Sequence, residues 1–207
     1  STHIYNPVRK SKILFLSKNK IKNVYKYKNS LKIIMVGRLS IEKDHNTFLE
    51  SLKIISNKIK IESVILGSGN QKEKIKNTIL KLNLKKIVKI ISFKKNPYPY
   101  IKNSDILVLT SLHEGLPNVL IESAVLKTFI ISSNCETGPK EILLNGKAGA
   151  LFKVGDSQQL ADKIIYYKKN HQQKNQMIKL GFKNLHRFDY LKNLNKYYDK
   201  IKVYLIK

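Results

Sequence analysis

Residues 31–67 read LKIIMVGRLSIEKDHNTFLESLKIISNKIKIESVILG, and their pattern indicates the fold class. The segment begins with an apolar run at 31–37, carries apolar residues at helical spacing across 46–58, and ends with a second apolar run at 61–67. Short runs rich in Ile and Val, separated by an amphipathic helix, are typical of buried parallel strands joined by a crossover. The segment therefore predicts a β-strand, an α-helix and a second, parallel β-strand.

The same alternation of strand and helix patterns continues to residue 169. Strands are predicted at 87–93, 105–111, 128–133 and 149–153, helices at 71–82, 117–127 and 157–169, and a short proline-broken piece at 97–103. We predict an α/β domain over 31–170, with a Rossmann-like parallel sheet and helices on both faces. Residues 1–30 are predicted to be an interdomain linker and basic leader. Residues 171–207 are predicted to form extra C-terminal helices that pack on this domain or reach toward an N-terminal domain.

The composition excludes several classes of protein. Hydrophobic residues make up 42% of the 207, as in a globular domain, and no apolar run approaches the roughly 18–20 residues of a membrane-spanning helix. One cysteine excludes an intrachain disulfide framework, and five scattered histidines show no zinc-ligand spacing. The chain starts without Met and without a signal-peptide core, which predicts a piece of a longer, cytoplasmic polypeptide.

The net charge of +26 makes polyanions the first partners to consider. Lysine supplies 37 of the 40 basic residues and is spread through every predicted helix and loop, whereas a DNA-reading surface concentrates basic residues on one element. We therefore predict no specific nucleic-acid partner. In segment 9–28, lysines alternate with apolar residues. That pattern makes an anionic membrane surface a candidate partner, with the protein peripheral at the inner face of the membrane.

The loops after the first and fourth predicted strands form the predicted ligand crevice. In an open α/β sheet, ligands bind beyond the carboxyl ends of the strands, where the strand order reverses. The two loops read GRLSIEKD at 37–44 and SLHEGLPNVLIE at 111–122. Arg38 and Lys43 are thus expected opposite Glu114. Arg38 is notable because the sequence has only three arginines, and its guanidinium suits a diphosphate, with Lys43 as a point charge.

The second loop leads into a helix whose start suits an anion. Gly115 permits a sharp entry with close backbone approach, and Pro117 fits the first helical turn. Free donors toward a phosphate are expected from the backbone amides of Leu116, Asn118 and Val119.

The acidic residues of the second loop allow two interpretations each. Asn118 and Glu122 are four residues apart and share one helix face, so the Glu122 carboxylate can accept hydrogen bonds from a ribose. Alternatively, Glu122 is a solvated helix residue. Glu114 can likewise contact a ligand or simply cap the helix.

Several of these segments resemble the large retaining glycosyltransferase family known as group 1 or family four. The matching segments are VGRL at 36–39, EKD at 42–44, EGLPNVLIE at 114–122 and GPKEIL at 138–143. The family's signature is two glutamates separated by seven residues, which Glu114 and Glu122 match. The resemblance spans about residues 33–169.

The resemblance implies a GT-B architecture, in which two Rossmann-like domains face each other across a cleft. This chain resembles the C-terminal, donor-binding half, and its partner would be the N-terminal acceptor domain of the same polypeptide. By the same resemblance, catalysis is assigned to Arg38, Lys43 and Glu114, with Arg38 and Lys43 on the donor diphosphate and Glu114 on the sugar. Glu122 would bind the ribose. The expected donor-binding residues are Gly37, Gly67, Phe93, Lys94, Gly115, Leu116, Asn118, Val119 and Glu122.

The function implied by the resemblance is transfer of a hexose or N-acetylhexosamine with retention. The expected donor is a UDP-sugar and the expected acceptor a glycan or lipid-linked molecule in surface polysaccharide or lipopolysaccharide synthesis. No cofactor and no obligatory metal are expected, and the isolated half is expected to be inactive. The alternatives are a non-catalytic Rossmann-type nucleotide- or sugar-binding module and a polyanion-binding protein. A dehydrogenase is disfavoured because the first loop lacks Gly-x-Gly-x-x-Gly.

Overall fold

A six-stranded parallel sheet forms the centre of the domain. The computed structural model describes residues 4–22 and 24–205. The sheet order is β3-β2-β1-β4-β5-β6, and every pairing is parallel. The strands are β1 (Leu31–Val36), β2 (Ile61–Leu66), β3 (Val88–Ile91), β4 (Ile106–Leu109), β5 (Phe129–Ser133) and β6 (Ala150–Phe152). The predicted Rossmann-like parallel sheet is confirmed.

Helices cover both faces of the sheet. They are α1 (Lys10–Leu16), α2 (His45–Ser56), α3 (Lys72–Lys81), α4 (Tyr98–Lys102), α5 (Asn118–Val125), α6 (Pro139–Ile142), α7 (Ser157–Lys169), α8 (His171–Lys183) and α9 (Tyr190–Leu205), with 3-10 turns at Ile41–Lys43 and Asn184–Phe188. Side chains alternate across the pleat, so Ile33 and Met35 enter a core with α2 and α7, while Ile34 enters a second core with α5. Burial on both faces explains why the strands are mainly apolar.

Most element boundaries differ from the sequence prediction by one or two residues, and the start of α5 is the one that matters for the loop before it. Pro117 is not the first helical residue: its ψ of 102° is extended, and its carbonyl accepts the first bond of α5, from the Leu120 amide at 3.0 Å. Pro117 therefore occupies the N-cap position, and α5 is shorter than the predicted 117–127. The sequence pattern also did not predict α1 or α6.

Residues 4–22 and 24–30 include segments that pack against the domain. Ile13 of α1 is buried among residues of the α5 core, and Tyr25 is buried with its hydroxyl 2.6 Å from Ser104 Oγ. Glu62 on β2 accepts from the backbone amides of Lys26 and Tyr27 at 2.6 and 2.8 Å. The leader and the sheet are therefore joined by a core and by hydrogen bonds.

The C-terminal helix α9 presents apolar side chains outward. Leu191, Leu194, Tyr198 and Ile201 are spaced by three and four residues and are 41–65% exposed, whereas Asn193 on another side of the helix is fully buried. This orientation is the reverse of the usual one for a surface helix.

Candidate functional site

The candidate site lies where the strand order reverses. β1 and β4 are adjacent, so the loops that follow them meet at the carboxyl edge of the sheet, as the sequence predicted. Two hydrogen bonds join the loops: Thr110 Oγ1 donates to the Lys43 carbonyl at 2.8 Å, and the Leu112 amide donates to the Glu42 carbonyl at 2.9 Å. The crevice wall is thus one hydrogen-bonded unit.

Lys43 and Glu114 form an ion pair in this crevice. Lys43 Nζ lies 2.5 Å from Glu114 Oε1, and the two side chains are 24% and 11% exposed. Ser111 Oγ donates to the same carboxylate oxygen at 2.7 Å, and Thr137 Oγ1 donates to the Glu114 carbonyl. Glu114 is therefore fixed by residues from the loops after β4 and β5, and no side chain in the described structure caps the start of α5.

Arg38 remains available to a ligand. Its side chain is exposed, and within residues 4–22 and 24–205 it has no hydrogen bond or ion pair. Gly37 precedes it, and a Cβ at Gly37 would lie 3.7 Å from Lys43 Cε, so the lysine stem crosses close to the backbone there. One unpaired guanidinium and one paired ammonium thus occupy the loop after β1.

The start of α5 carries unused donors. In the described part of the chain, no group accepts a hydrogen bond from the backbone amides of Leu116, Asn118 and Val119. A Cβ at Gly115 would meet no atom within 4 Å, so this residue borders open space. Gly138, by contrast, has to be glycine, because its φ is +81° and a Cβ there would collide with the Gly115 carbonyl. Gly115 thus leaves the crevice accessible, while Gly138 supports its backbone from behind.

Glu122 lies half-buried on α5, one turn after Asn118. Burial raises the pKa of its carboxyl, and the Tyr98 hydroxyl, 3.4 Å from Oε1, lowers it by a smaller amount. In the described residues Glu122 has no cationic partner within ion-pair distance. Its carboxylate therefore has acceptor capacity left for the hydroxyl groups of a ligand.

The loops after β2 and β3 are linked to the first loop by backbone contacts. The Leu39 amide donates to the Ser68 carbonyl at 3.0 Å, and the Phe93 amide donates to Ser68 Oγ at 3.0 Å. Gly67 is buried, and a Cβ there would lie 1.8 Å from the Gly37 carbonyl oxygen, so packing alone requires this glycine. Phe93 is 69% exposed and Lys94 is exposed. In the described structure neither is hydrogen-bonded or ion-paired to Lys43 or Glu114.

Sequence reasoning missed four residues that shape the site. Ser111 and Thr137 hold Glu114, Tyr98 contacts Glu122, and Asn6 donates its side-chain amide to Asn118 Oδ1 at 3.0 Å. No short motif marks these residues, because each acts through a contact that the tertiary fold creates.

Residues 4–22 and 24–205 offer neither a metal-binding cluster nor a helix that could span a membrane. No cluster of three or more His, Cys, Asp or Glu residues is arranged to hold a metal ion. None of the helices there combines the length and the apolar character needed to cross a bilayer.

The single cysteine, Cys135, is buried, and burial raises the pKa of its thiol.

Comparison with protein families gives a match over most of the chain. Residues 17–184 match the family described as glycosyl transferases group 1. An uncharacterized glycosyltransferase of Methanocaldococcus jannaschii is 38% identical over 135 residues, which are 64% of this chain and 33% of that protein. A Campylobacter jejuni N-acetylgalactosamine-N,N'-diacetylbacillosaminyl-diphospho-undecaprenol 4-alpha-N-acetylgalactosaminyltransferase is 30% identical over 128 residues, 62% of this chain and 34% of that enzyme.

Solved structures share the fold at lower identity. Anabaena HepE in complex with UDP-glucose has a TM-score of 0.79 and 20% sequence identity; the similarity covers 84% of this chain and 49% of HepE. The chain thus spans about a third to a half of the length of these proteins.

Proposed function

The chain belongs to the family of glycosyl transferases group 1, and from this premise we propose that it is the donor-binding half of a retaining glycosyltransferase. The observation that carries the proposal is the grouping of Arg38, the Lys43–Glu114 pair and the free amides of α5 at one edge of the sheet. Cationic side chains opposite a helix N-terminus suit a diphosphate.

We assign the diphosphate of the donor to Arg38 and Lys43. Arg38 has all its donors free, and Lys43 can exchange its bond with Glu114 for a phosphate oxygen. Both cations neutralise the charge that develops on the leaving diphosphate, which lowers the barrier to transfer. The amides of Leu116, Asn118 and Val119 add fixed donors from the helix start. This division of roles needs no obligatory metal ion and no cofactor.

The sugar and ribose are assigned to the two glutamates. Glu114 is held by Ser111 and Lys43 at the mouth of the crevice, where its carboxylate can accept bonds from sugar hydroxyl groups. Glu122 has free acceptor capacity and suits the ribose hydroxyls. The exposed Phe93 and Lys94, with Gly37 and Gly67 behind them, border the region proposed for the base.

UDP-hexose or UDP-N-acetylhexosamine is the proposed donor, and a glycan or lipid-linked molecule is the proposed acceptor. The donor proposal is supported by HepE, whose structure contains UDP-glucose. The acceptor proposal is supported by the Campylobacter relative, whose name specifies a diphospho-undecaprenol-linked acceptor. Synthesis of a surface polysaccharide or lipopolysaccharide is the corresponding process.

The second half of the enzyme would be an N-terminal acceptor domain. The outward apolar face of α9 offers a surface for it, and Leu191, Leu194, Tyr198 and Ile201 would be covered on contact. Without that half, this chain is expected to bind donor and to transfer nothing.

The first acidic residue of the chain is Glu42, so the leader is purely basic. We also propose that an anionic membrane surface attracts the leader, at the cytoplasmic face of the membrane.

Thermal unfolding in the presence of UDP, GDP, ADP and UDP-sugars tests the donor assignment. Saturation at about a hundred times the dissociation constant adds about 2.7 kcal/mol and raises Tm by about 5–11 °C in a domain of this size. Arg38→Ala should weaken UDP binding by about 1.5–3 kcal/mol, the contribution of a charge-assisted hydrogen bond. Arg9→Ala is the matched control, because it removes the same charge from the leader.

The outcomes separate the proposed function from its alternatives. UDP-sugar binding that depends on Arg38, with transfer once the N-terminal domain is supplied, supports a glycosyltransferase. Donor binding that ignores the sugar, with no transfer in the two-domain protein, supports a non-catalytic Rossmann-type module. Equal UDP affinity in wild type and Arg38→Ala would exclude the proposed crevice. Binding that falls steeply with salt and is unchanged by Glu114→Ala would identify a polyanion-binding protein.

A further inference from the structure

The peptide at residues 5–8 connects the C-terminal segment to the start of α5. Asn193 Oδ1 accepts from the Tyr5 amide at 3.1 Å, and the Phe188 carbonyl accepts from the Val8 amide at 3.0 Å. Both flanks of Asn6 are therefore anchored, one on the first turn of α9 and the other on the 3-10 turn before it. Pro7 further restricts Asn6 to an extended backbone, because a residue before proline disfavours the helical region.

The anchor for this peptide is itself rigid. Asn193 is fully buried, and its Nδ2 donates to the carbonyls of Arg187 and Asp189 at 2.8 and 2.9 Å. Its side chain thus makes three hydrogen bonds, which fix both of its ends. A buried amide with every partner in place holds its position strongly. Asn6 is consequently presented to α5 from a fixed support.

Asn6 determines what Asn118 can offer to a ligand. Asn6 Nδ2 donates to Asn118 Oδ1 at 3.0 Å, so the oxygen of the Asn118 amide is engaged. The Asn118 Nδ2 group has no acceptor in the described part of the chain. The N-cap residue is Pro117, which has no side-chain oxygen to bond the amides of the first turn. In the described structure the amides of Asn118 and Val119 are unbonded, so they and the Asn118 NH₂ group are donors at the same helix start.

We propose that Asn6 is a positioning residue for the donor site, which orients the Asn118 amide so that its NH₂ group faces the donor phosphates. It acts by engaging the Asn118 oxygen, which leaves the two N–H donors of that side chain for the anion. The proposal rests on the proposed function, since it presupposes that a nucleoside diphosphate binds at the start of α5. It makes the peptide entering the domain part of the donor site.

Two substitutions at Asn6 test the orientation in opposite ways. Asn6→Ala removes the partner of Asn118 and lets the amide rotate. Asn6→Asp provides only acceptors, so the Asn118 NH₂ would turn toward Asp and its oxygen toward the phosphate. We expect UDP to bind about 3–10-fold more weakly to Asn6→Ala and about 10–30-fold more weakly to Asn6→Asp. Tyr5→Phe is the matched control, because it removes the neighbouring side-chain bond, from Tyr5 to Glu141, and leaves Asn118 untouched.

The same substitutions in an Asn118→Ala background show whether Asn6 acts through the Asn118 side chain. Asn6→Ala should have no further effect on UDP affinity there, and Asn6→Asp should show only the effect of its charge. Titration with UDP followed by ¹⁵N NMR gives the affinities and a direct signal. The side-chain resonance of Asn118, identified by its loss in Asn118→Ala, should shift with UDP in wild type and not in Asn6→Asp. Backbone spectra verify folding, and Asn6→Asp carries the test alone if Asn6→Ala unfolds.

The results distinguish this inference from the proposed function. Wild-type binding of UDP together with equal affinity in Asn6→Ala would overturn the positioning role and leave the donor site intact. An equal loss with and without Asn118 would also overturn it, because the effect would then be a general one on folding. A wild-type chain that binds no nucleotide would overturn the proposed function and this inference together.

Discussion

Lys43 and Glu114 are 71 residues apart in sequence and join the two sides of the crevice through a 2.5 Å contact between Nζ and Oε1. The pair changes how the two residues are expected to work. Both were predicted to face a ligand independently, yet in the unliganded protein each neutralises the other. A donor phosphate must therefore compete with Glu114 for the ammonium group of Lys43.

Glu114→Gln tests this competition. Loss of the carboxylate frees Lys43 and removes a negative charge near the anion, so UDP should bind about 2–5-fold more tightly. The free energy of unfolding of the unliganded protein should fall by about 1–2 kcal/mol, because a partly buried ammonium loses its partner. Calorimetric titration and chemical denaturation measure the two effects. Glu73→Gln removes an exposed ion pair, the one with Lys76, and should change neither quantity appreciably. Weaker UDP binding in Glu114→Gln would show that the carboxylate supports the phosphate site and does not compete with it.

The Glu122 carboxylate is expected to lower the free energy of unfolding at neutral pH. Its pKa is raised, chiefly by burial, so the folded protein binds the proton more tightly than the unfolded chain. The free energy of unfolding then falls as pH rises from the pKa of Glu122 in the unfolded chain through its higher pKa in the folded protein. At pH 7, Glu122→Gln should raise the free energy of unfolding by about 1 kcal/mol, or Tm by about 2–4 °C, while weakening UDP binding through the ribose. Glu50→Gln on the exposed side of α2 is the control. A drop in Tm for Glu122→Gln would contradict the expected cost of the buried carboxylate.

The sheet could be predicted from the sequence because most strand residues are buried on both faces, and this burial leaves short runs that are mainly apolar. The site could be predicted in part for a similar reason. The position of a loop after β1 or β4 follows from the topology, so Arg38 and Lys43 were expected near Glu114. The partners of these residues could not be predicted. Asn6 reaches Asn118, and Tyr98 reaches Glu122, only through packing between distant segments.

His45 should make stability depend on pH between about 4 and 6.5. Burial lowers the pKa of its imidazole to about 4, so the folded state holds the neutral ring while the unfolded chain takes up a proton below about 6.5. Stability is fully present above the unfolded pKa and is lost as pH falls through that window, by about 2–3 kcal/mol at pH 4. Thermal unfolding across this range should show a slope that His45→Gln flattens. His171→Gln, at an exposed position, should keep the wild-type slope. If the slope survived in His45→Gln, another group would have to be responsible for it.

Glu62 should hold the leader onto the sheet and should lose this role in acid. Its carboxylate is buried and accepts from the amides of Lys26 and Tyr27 and from Ser30 Oγ at 2.5 Å. Burial raises its pKa, but the Ser30 hydroxyl and the two amides together outweigh burial, so the pKa lies below its usual value. The stabilisation is therefore present above the unfolded pKa, near 4.5, and disappears as pH falls through the folded one.

Glu62→Gln is expected to reproduce the effect of acid at neutral pH. Its single oxygen cannot serve three donors, so the free energy of unfolding should fall by about 1–3 kcal/mol. Hydrogen exchange should accelerate at the amides of Lys26 and Tyr27 well before the sheet is affected, because the leader opens locally. Glu136→Gln, at an exposed loop position, is the control and should leave these amides protected. Unchanged exchange at Lys26 and Tyr27 would mean that the buried Tyr25, and not the carboxylate, holds the leader in place.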